Sequence, residues 1–255
     1  MEIVRICGGN YTEYEMLILR RDSLKKQSLQ IYDDYVRCFG EDIKKLYEIQ
    51  VKCIRTKKLI SYCQQEINYG KRPDTKIIIQ KVENEMTEYY QQIQDMKREN
   101  ELCKNAKEVP EKDVLKLKKI YHEIAKKIHP DVSPLTKEYP ELLELWYQIV
   151  SAYNCNSLKE AEETQLLIEQ FLSKKNVQNV EMVIPDINER IKNIKDEINQ
   201  IMSTEPYIFQ DILNDSSLVE AKKTQLREDH DNYYEYYKNL EKILKNIMEG
   251  YADEK

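Results

Sequence analysis

The tripeptide His129-Pro130-Asp131 places an imidazole and a carboxylate two residues apart. Such a pair could act as a general base with the group that orients it or, together with His122, as the start of a metal site. No nucleophile and no third ligand stands at a fixed local spacing from these residues. The chain also lacks the glycine-rich phosphate-binding motifs and the G-x-S-x-G motif. We therefore predict that the protein is not an enzyme and uses no cofactor or metal.

The same tripeptide, called the corner below, is predicted to end a helix. Apolar residues step by three and four positions from Val114 to Ile128, which indicates an amphipathic helix. Pro130 lacks an amide hydrogen and disfavours a helical conformation at His129, so the helix has to stop there. We expect the corner to be rigid and exposed. An ordinary helix end with a solvent-exposed histidine is the plainer alternative.

The helix before the corner has a strong basic bias. Between residues 112 and 127 six lysines stand against two acidic residues, whereas residues 131–172 hold two lysines and eight acidic residues. Opposite charges would help the two parts pack, and the helix would offer a docking face to an acidic partner. The candidate contacts are Lys118, Lys119, Lys126 and Lys127. For any single lysine, a solvated face is the plainer interpretation.

Two patterns in segment 109–172 resemble the J domain of DnaJ-type co-chaperones. The second helix of that family ends in Tyr-x-x-Leu/Ile-Ala-x-x-x-His-Pro-Asp, and this chain has Tyr121, Ile124 and Ala125 before the corner. The third helix of the family carries Phe-x-x-Ile-x-x-Ala-Tyr. The residues at those positions here are Trp146, Ile149, Ala152 and Tyr153.

The resemblance implies a binding function without chemistry of its own. J domains bind a DnaK-type heat-shock chaperone through the second helix and the His-Pro-Asp loop, and they accelerate ATP hydrolysis by that partner. His129, Pro130 and Asp131 would then stimulate the ATPase, the four lysines would contact the chaperone, and the seven matched residues would form the core.

The chain departs from the family in three places. The usual first-helix pattern Tyr-x-x-Leu-Gly is missing around residues 101–107, and the end of the preceding long helix is expected to supply that packing surface. His122 and Glu123 replace residues that are commonly basic, and Val132 follows the corner. These departures leave open a J-like fold that is kept for structure while its partner contact is weakened.

Long amphipathic helices flank this segment on both sides. On the N-terminal side, apolar spacing predicts two helices between residues 11 and 69, broken at Gly40, and a third over about 75 to 105. On the C-terminal side, isoleucines between Ile187 and Ile201 recur in alternating steps of four and three, as in a coiled-coil seam.

These helices are predicted to form antiparallel pairs. We expect the helix over 75–105 to pair with the helix over 186–203, because they lead into and out of the middle segment. The J domain would then lie at the far end of a shaft. The helix over 186–203 and a last helix from about Ser217 would form a C-terminal hairpin.

Composition excludes several fold classes. The chain of 255 residues has 5 glycines and 7 prolines, too few for the turns of strand-rich folds. The predicted fold class is all-α, with long antiparallel coiled-coil or helical hairpins around a central J domain. Six cysteines stand without a C-x-x-C pair and are predicted to be free thiols.

Composition also bears on partners. The net charge is -6 with interspersed signs, which argues against a nucleic-acid binder. The tyrosine runs at 89–90 and 233–237 are predicted to pack in cores and interfaces instead of stacking on bases. No apolar run approaches the roughly 18 residues of a membrane span, and no signal-peptide core is present, so we predict a cytoplasmic protein without a membrane partner.

We predict three regions: a helical coiled-coil region over 1–108, a J domain over 109–172 and a helical hairpin over 173–255. The predicted function is a co-chaperone of a DnaK-type ATPase, whose coiled-coil arms bind a client or target the complex. The arms could close within one chain or join chains as a homo-oligomer. The alternative is a coiled-coil scaffold whose J-like module no longer stimulates an ATPase. The richness in lysine, isoleucine, tyrosine and asparagine suits an AT-rich bacterial genome.

Overall fold

The computed structural model describes residues 10–105, 109–175 and 186–249. Every regular element in these ranges is a helix, which confirms the all-α class. None of the described helices is both long and apolar enough to cross a membrane. The helices are α1 (Tyr11–Asn68), α2 (Thr75–Glu85), α3 (Thr87–Asn105), α4 (Glu111–Ile128), α5 (Leu135–Glu138), α6 (Pro140–Asn154), α7 (Leu158–Lys174), α8 (Ile187–Ser203), α9 (Phe209–Leu213) and α10 (Ser216–Glu249).

The helix α1 runs without interruption through Gly40, so the predicted break at this residue is wrong. A glycine inside a helix costs about 1 kcal/mol relative to alanine, which is too little to end a long amphipathic helix. The structure gives a packing reason for glycine here. A side-chain carbon at Gly40 would overlap the buried side chain of Asn100 on α3.

The described residues form two compact units. The first comprises residues 10–30, 109–175 and 186–208, and the second comprises residues 31–105 and 209–249. The helix α1 contributes residues to both units. The division into regions over 1–108, 109–172 and 173–255 stays a prediction.

In the first unit, α4, α5, α6 and α7 form a small helical bundle, called the central bundle below. The apolar stripe of α4 faces α6 and α7, and Pro140 occupies the first turn of α6, where its missing amide hydrogen costs nothing. Asn156, with a left-handed φ of 56°, makes the tight turn between α6 and α7. The buried residues are Leu117, Ile120, Tyr121, Ile124, Ala125, Ile128, Leu135, Leu142, Trp146, Ile149, Ala152, Tyr153, Ala161 and Ile168, joined by Leu19 of α1.

The isoleucine seam of α8 packs on the first part of α1. Ile191, Ile194 and Ile198 are buried with Tyr14 and Ile18 of α1. The predicted partner, the helix over 75–105, is therefore replaced by α1. The seam itself was recognisable from spacing, but spacing alone does not choose among several amphipathic partners.

In the second unit, α2, α3 and α10 pack on the remainder of α1. Asp74 caps α2, because its carboxylate accepts hydrogen bonds from the backbone amides of Lys76 at 3.0 Å and Ile77 at 3.2 Å. The helix predicted over 75–105 is divided at Met86, which is fully buried against α1.

The last helix, α10, lies against α1 through Leu240, which is buried with Cys53 and Ile60. The C-terminal hairpin of α8 and α10 that was expected from the sequence is not confirmed. The five cysteines in the described ranges are free, and Cys7 lies outside those ranges.

Candidate functional site

The corner is a hydrogen-bonded turn at the C-terminal end of α4. The carbonyl of His129 accepts from the amides of Val132 at 2.9 Å and Ser133 at 2.7 Å. The amide of Asp131 donates to Nδ1 of His129 at 3.0 Å. Because Nδ1 accepts this bond, the ring proton of the neutral imidazole belongs on Nε2.

The side chain of His129 is buried, with only 5% of its surface exposed. Its ring meets the Trp146 ring nearly edge-on, with 4.6 Å between centroids. On the other side it faces α1, where Nε2 lies 3.4 Å from Asp22 Oδ2. The prediction of an exposed imidazole was therefore wrong, because α1 covers it.

Asp22 of α1 is the centre of the polar contact with the corner. Its Oδ2 accepts a hydrogen bond from the hydroxyl of Tyr121 at 2.8 Å and lies next to Nε2 of His129. Burial opposes ionisation of this carboxyl, but the bonds from His129 and Tyr121 and the charge of Arg21 outweigh it and lower the pKa of Asp22. Burial and the Asp22 charge together raise the pKa of Tyr121 far above its usual range, so the phenol stays a donor.

Arg21, a residue of α1, contacts both the corner and α8. Its guanidinium lies 3.3 Å from Asp131 and 3.7 Å from Glu197 of α8. Lys25 is 2.6 Å from the same Glu197 carboxylate. Asp131 keeps 46% of its side chain exposed, so the corner carboxylate is paired but not enclosed.

Lys26 forms a second polar contact between α1 and the central bundle. Its ammonium donates to the Tyr153 carbonyl at 2.7 Å and lies 3.8 Å above the Tyr153 ring. Burial and the nearby charge of Lys118 lower the pKa of Lys26 to about 8. The sequence analysis missed Arg21, Asp22 and Lys26. Their charges looked like an ordinary solvated helix face, and no spacing rule links them to a site about 100 residues away.

The four candidate lysines of α4 divide into two groups. Lys118, Lys119 and Lys126 are exposed and line a groove of about 390 Å³ with Leu115, His122 and Glu123. Within the described ranges, no carboxylate lies within 4.0 Å of these three ammonium groups. Lys127 instead lies 3.9 Å from Glu169 of α7. The structure therefore places three of the predicted contacts on one open basic face and directs the fourth towards its own bundle.

The seven residues matched to the family core are all buried in the same cluster. The rings of Tyr121 and Tyr153 stack with centroids 4.1 Å apart, and Trp146 lies 5.6 Å from Tyr121. These aromatic contacts hold the end of α4 to α6 and fix the direction of the corner. The other four members of the set are Ile124, Ala125, Ile149 and Ala152.

The space between α1 and the corner is not completely filled. A cleft of about 280 Å³ is lined by Arg21, Asp22 and Lys25 on one side and by His129, Pro130, Asp131 and Trp146 among others on the opposite side. This cleft is open to solvent, and most of the side chains that line it are polar.

Neither ring nitrogen of His129 is placed for proton transfer to a substrate. Nδ1 accepts from the Asp131 amide, and Nε2 faces Asp22. The described residues contain no group of three or more histidine, cysteine or acidic side chains that could hold a metal ion. The structure thus places an open face with three lysines on α4 beside a corner that α1 covers.

Comparisons of the chain with protein-family models, with curated proteins and with solved structures gave no match.

Proposed function

We propose that the protein is a co-chaperone whose segment 109–172 is a J domain that recruits a DnaK-type chaperone and stimulates its ATPase. The observation that carries the proposal is the joint placement of the two sequence patterns. Tyr121 and Trp146, one from each pattern, pack together beside His129. The residues of both patterns thus lie together around the corner, which is what a J domain would need.

The proposed mechanism begins with electrostatic attraction. Lys118, Lys119 and Lys126 have no carboxylate partner among the described residues, so their charges are available to an acidic surface on the chaperone. Attraction of this kind speeds association and weakens as salt increases. The corner then contacts the ATPase and promotes hydrolysis in the partner. His129 supplies shape and hydrogen bonding, not proton transfer.

The remaining helices serve as arms for client binding or targeting in the cytoplasm, with a client protein still to be identified. They offer long amphipathic faces whose exposed residues include Tyr233, Tyr234 and Ile243 on α10. Such surfaces suit a protein client or a second copy of the chain.

Single-turnover ATP hydrolysis by the DnaK-type chaperone of the same cell tests the proposal. We expect the intact protein to stimulate hydrolysis and His129→Gln to lose this effect. Because His129 also contacts Asp22, the far-ultraviolet circular dichroism of the variant has to match the parent.

A charge variant on the basic face gives an independent arm of the test. Lys119→Glu should weaken stimulation at low salt, whereas Lys112→Glu, with the same charge change at the exposed start of α4, should not. Equal effects of the two variants would assign the result to net charge instead of a docking face.

The burial of His129 favours a second candidate function. A corner with 5% exposure of its imidazole could be a purely structural contact within a coiled-coil scaffold. Absence of stimulation by the intact protein and by every variant that exposes the corner would favour the scaffold.

A further inference from the structure

We propose that residues 19–26 of α1, called the cover below, inhibit the corner and must move away before the partner ATPase is fully stimulated. This inference rests on the proposed co-chaperone function and concerns the regulation of the same site.

The cover engages both titratable groups of the corner. Arg21 lies 3.3 Å from the carboxylate of Asp131, and Asp22 lies 3.4 Å from Nε2 of His129. A partner protein that needs His129 has to displace Asp22, and one that needs the whole Asp131 carboxylate has to displace Arg21. These two neighbouring side chains of α1 therefore restrict access to the corner.

The central bundle does not depend on the cover for its core. Leu19 is the single α1 residue in the buried cluster of that bundle, whose other members all come from residues 117–168. The cover's remaining contacts are chiefly ion pairs and hydrogen bonds made by Arg21, Asp22 and Lys26, together with Leu24, which is buried in the cluster that contains Val132. When the cover moves away as a whole, water replaces the partner of each of these polar groups, so their separation costs less than the loss of one partner in the closed state.

Access of solvent also favours a cover that moves. An open cleft of about 280 Å³ lies between the cover and the corner, so water can reach the polar side chains that face each other there. The groove of Lys118, Lys119 and Lys126 remains open at the same time. A chaperone can thus be attracted to α4 first and then compete with the cover for Asp131.

Two adjacent arginines of α1 supply a matched test. Arg21→Glu places a carboxylate beside Asp131 and Glu197, whereas Arg20→Glu makes the same charge change on an exposed neighbour. Trp146 is the only tryptophan of the chain and lines the cleft, so quenching of its fluorescence by acrylamide reports the opening without any ATPase. ATPase stimulation is measured on the same full-length proteins, together with the milder variant Arg21→Ala.

We expect Arg21→Glu to increase both acrylamide quenching and ATPase stimulation by about three- to fivefold, the shift that follows loss of one partly exposed ion pair. Arg21→Ala should give a smaller increase in both, and Arg20→Glu should match the parent. An unchanged far-ultraviolet circular dichroism spectrum would show that each variant keeps its helices.

Two results would overturn the inference while the co-chaperone proposal stands. In the first, Arg21→Glu exposes Trp146 but stimulates no more than the intact protein. In the second, neither quenching nor stimulation differs from the parent, although the parent stimulates. If Trp146 becomes exposed and neither protein stimulates at all, the co-chaperone proposal itself fails and the inference fails with it.

Discussion

At the scale of single residues, Asp22 is the side chain on which the contact between α1 and the corner depends most. It accepts from Tyr121 and lies beside His129, two groups that are buried and would lose a partner in its absence. Leaving buried donors unsatisfied costs more than an average hydrogen bond contributes. Asp22 therefore acts as a structural acceptor that only the folded chain reveals.

Replacing Asp22 by asparagine should lower the free energy of unfolding at pH 7 by about 1 to 3 kcal/mol, since a charged acceptor is lost. The folded-state pKa of Asp22 is lowered, so its contribution is complete above the unfolded value of about 4 and disappears as pH falls through the folded value. Urea unfolding at pH 7 and pH 3 measures the difference in unfolding free energy between Asp22→Asn and the parent.

The variant and the parent should accordingly converge in stability at low pH. Asp196→Asn, an exposed carboxyl on α8 in the same unit, is the control and should change stability by less than about 0.5 kcal/mol. A stability difference between Asp22→Asn and the parent that stays constant from pH 7 to pH 3 would contradict the role given to the Asp22 charge.

The lowered pKa of Lys26 should make the stability of the fold depend on pH in the alkaline range. The folded chain releases this proton near pH 8, whereas the unfolded chain keeps it to about pH 10.4, so the unfolded chain binds more protons between these values. Stability of the parent should therefore rise with pH from 8 to 9.5 relative to Lys26→Met, by up to about 1.4 kcal/mol per pH unit. Lys25→Met, at an exposed position, should follow the parent. Urea unfolding between pH 8 and 9.5 measures this difference. If the unfolding free energies of Lys26→Met and the parent change with pH in parallel, the lowered pKa of Lys26 is ruled out.

At the scale of elements, the close approach of α1 and α3 at Gly40 is a packing constraint. At a solvent-exposed helix position, Gly40→Ala would stabilise the fold by about 1 kcal/mol through helix propensity. Here we expect a loss of about 1 to 3 kcal/mol, because the added carbon overlaps Asn100. Thermal unfolding of Gly40→Ala and of the double variant with Asn100→Ala measures the coupling. A stabilised single variant would show that the two helices separate at little cost.

The elements also show which parts of the sequence analysis were sound. The three-and-four spacing of α4 located its buried face, and the proline of the corner gave its end at Ile128, because both depend on local backbone and periodicity. The predicted partner helix of α8 was wrong, because Ile191, Ile194 and Ile198 can pack on any apolar stripe of similar length. Gly40 was misread because a close contact with a distant helix has no local signal.

At the scale of the whole molecule, the same limit applies to the candidate site. Composition gave the all-α class, and the two patterns in segment 109–172 gave the residues that converge in the central bundle. What could not be predicted was the burial of His129 by α1. That contact joins charged residues about 100 positions apart, and charged residues on a helix are normally solvated.

Two compact units, each with its own buried clusters, make up the described chain. The first unit holds the corner, the open basic face and the cover, so every group in the proposed mechanism belongs to one unit. In the proposed function, the second unit, with α2, α3 and α10, would carry client binding or targeting.

The most direct test of the central claim is single-turnover ATP hydrolysis by the DnaK-type chaperone of the same cell, measured with the intact protein, His129→Gln and Arg21→Glu. We expect stimulation by the intact protein, more stimulation by Arg21→Glu and none by a folded His129→Gln. Absence of stimulation by both the intact protein and Arg21→Glu, at low and high salt, would contradict the co-chaperone proposal.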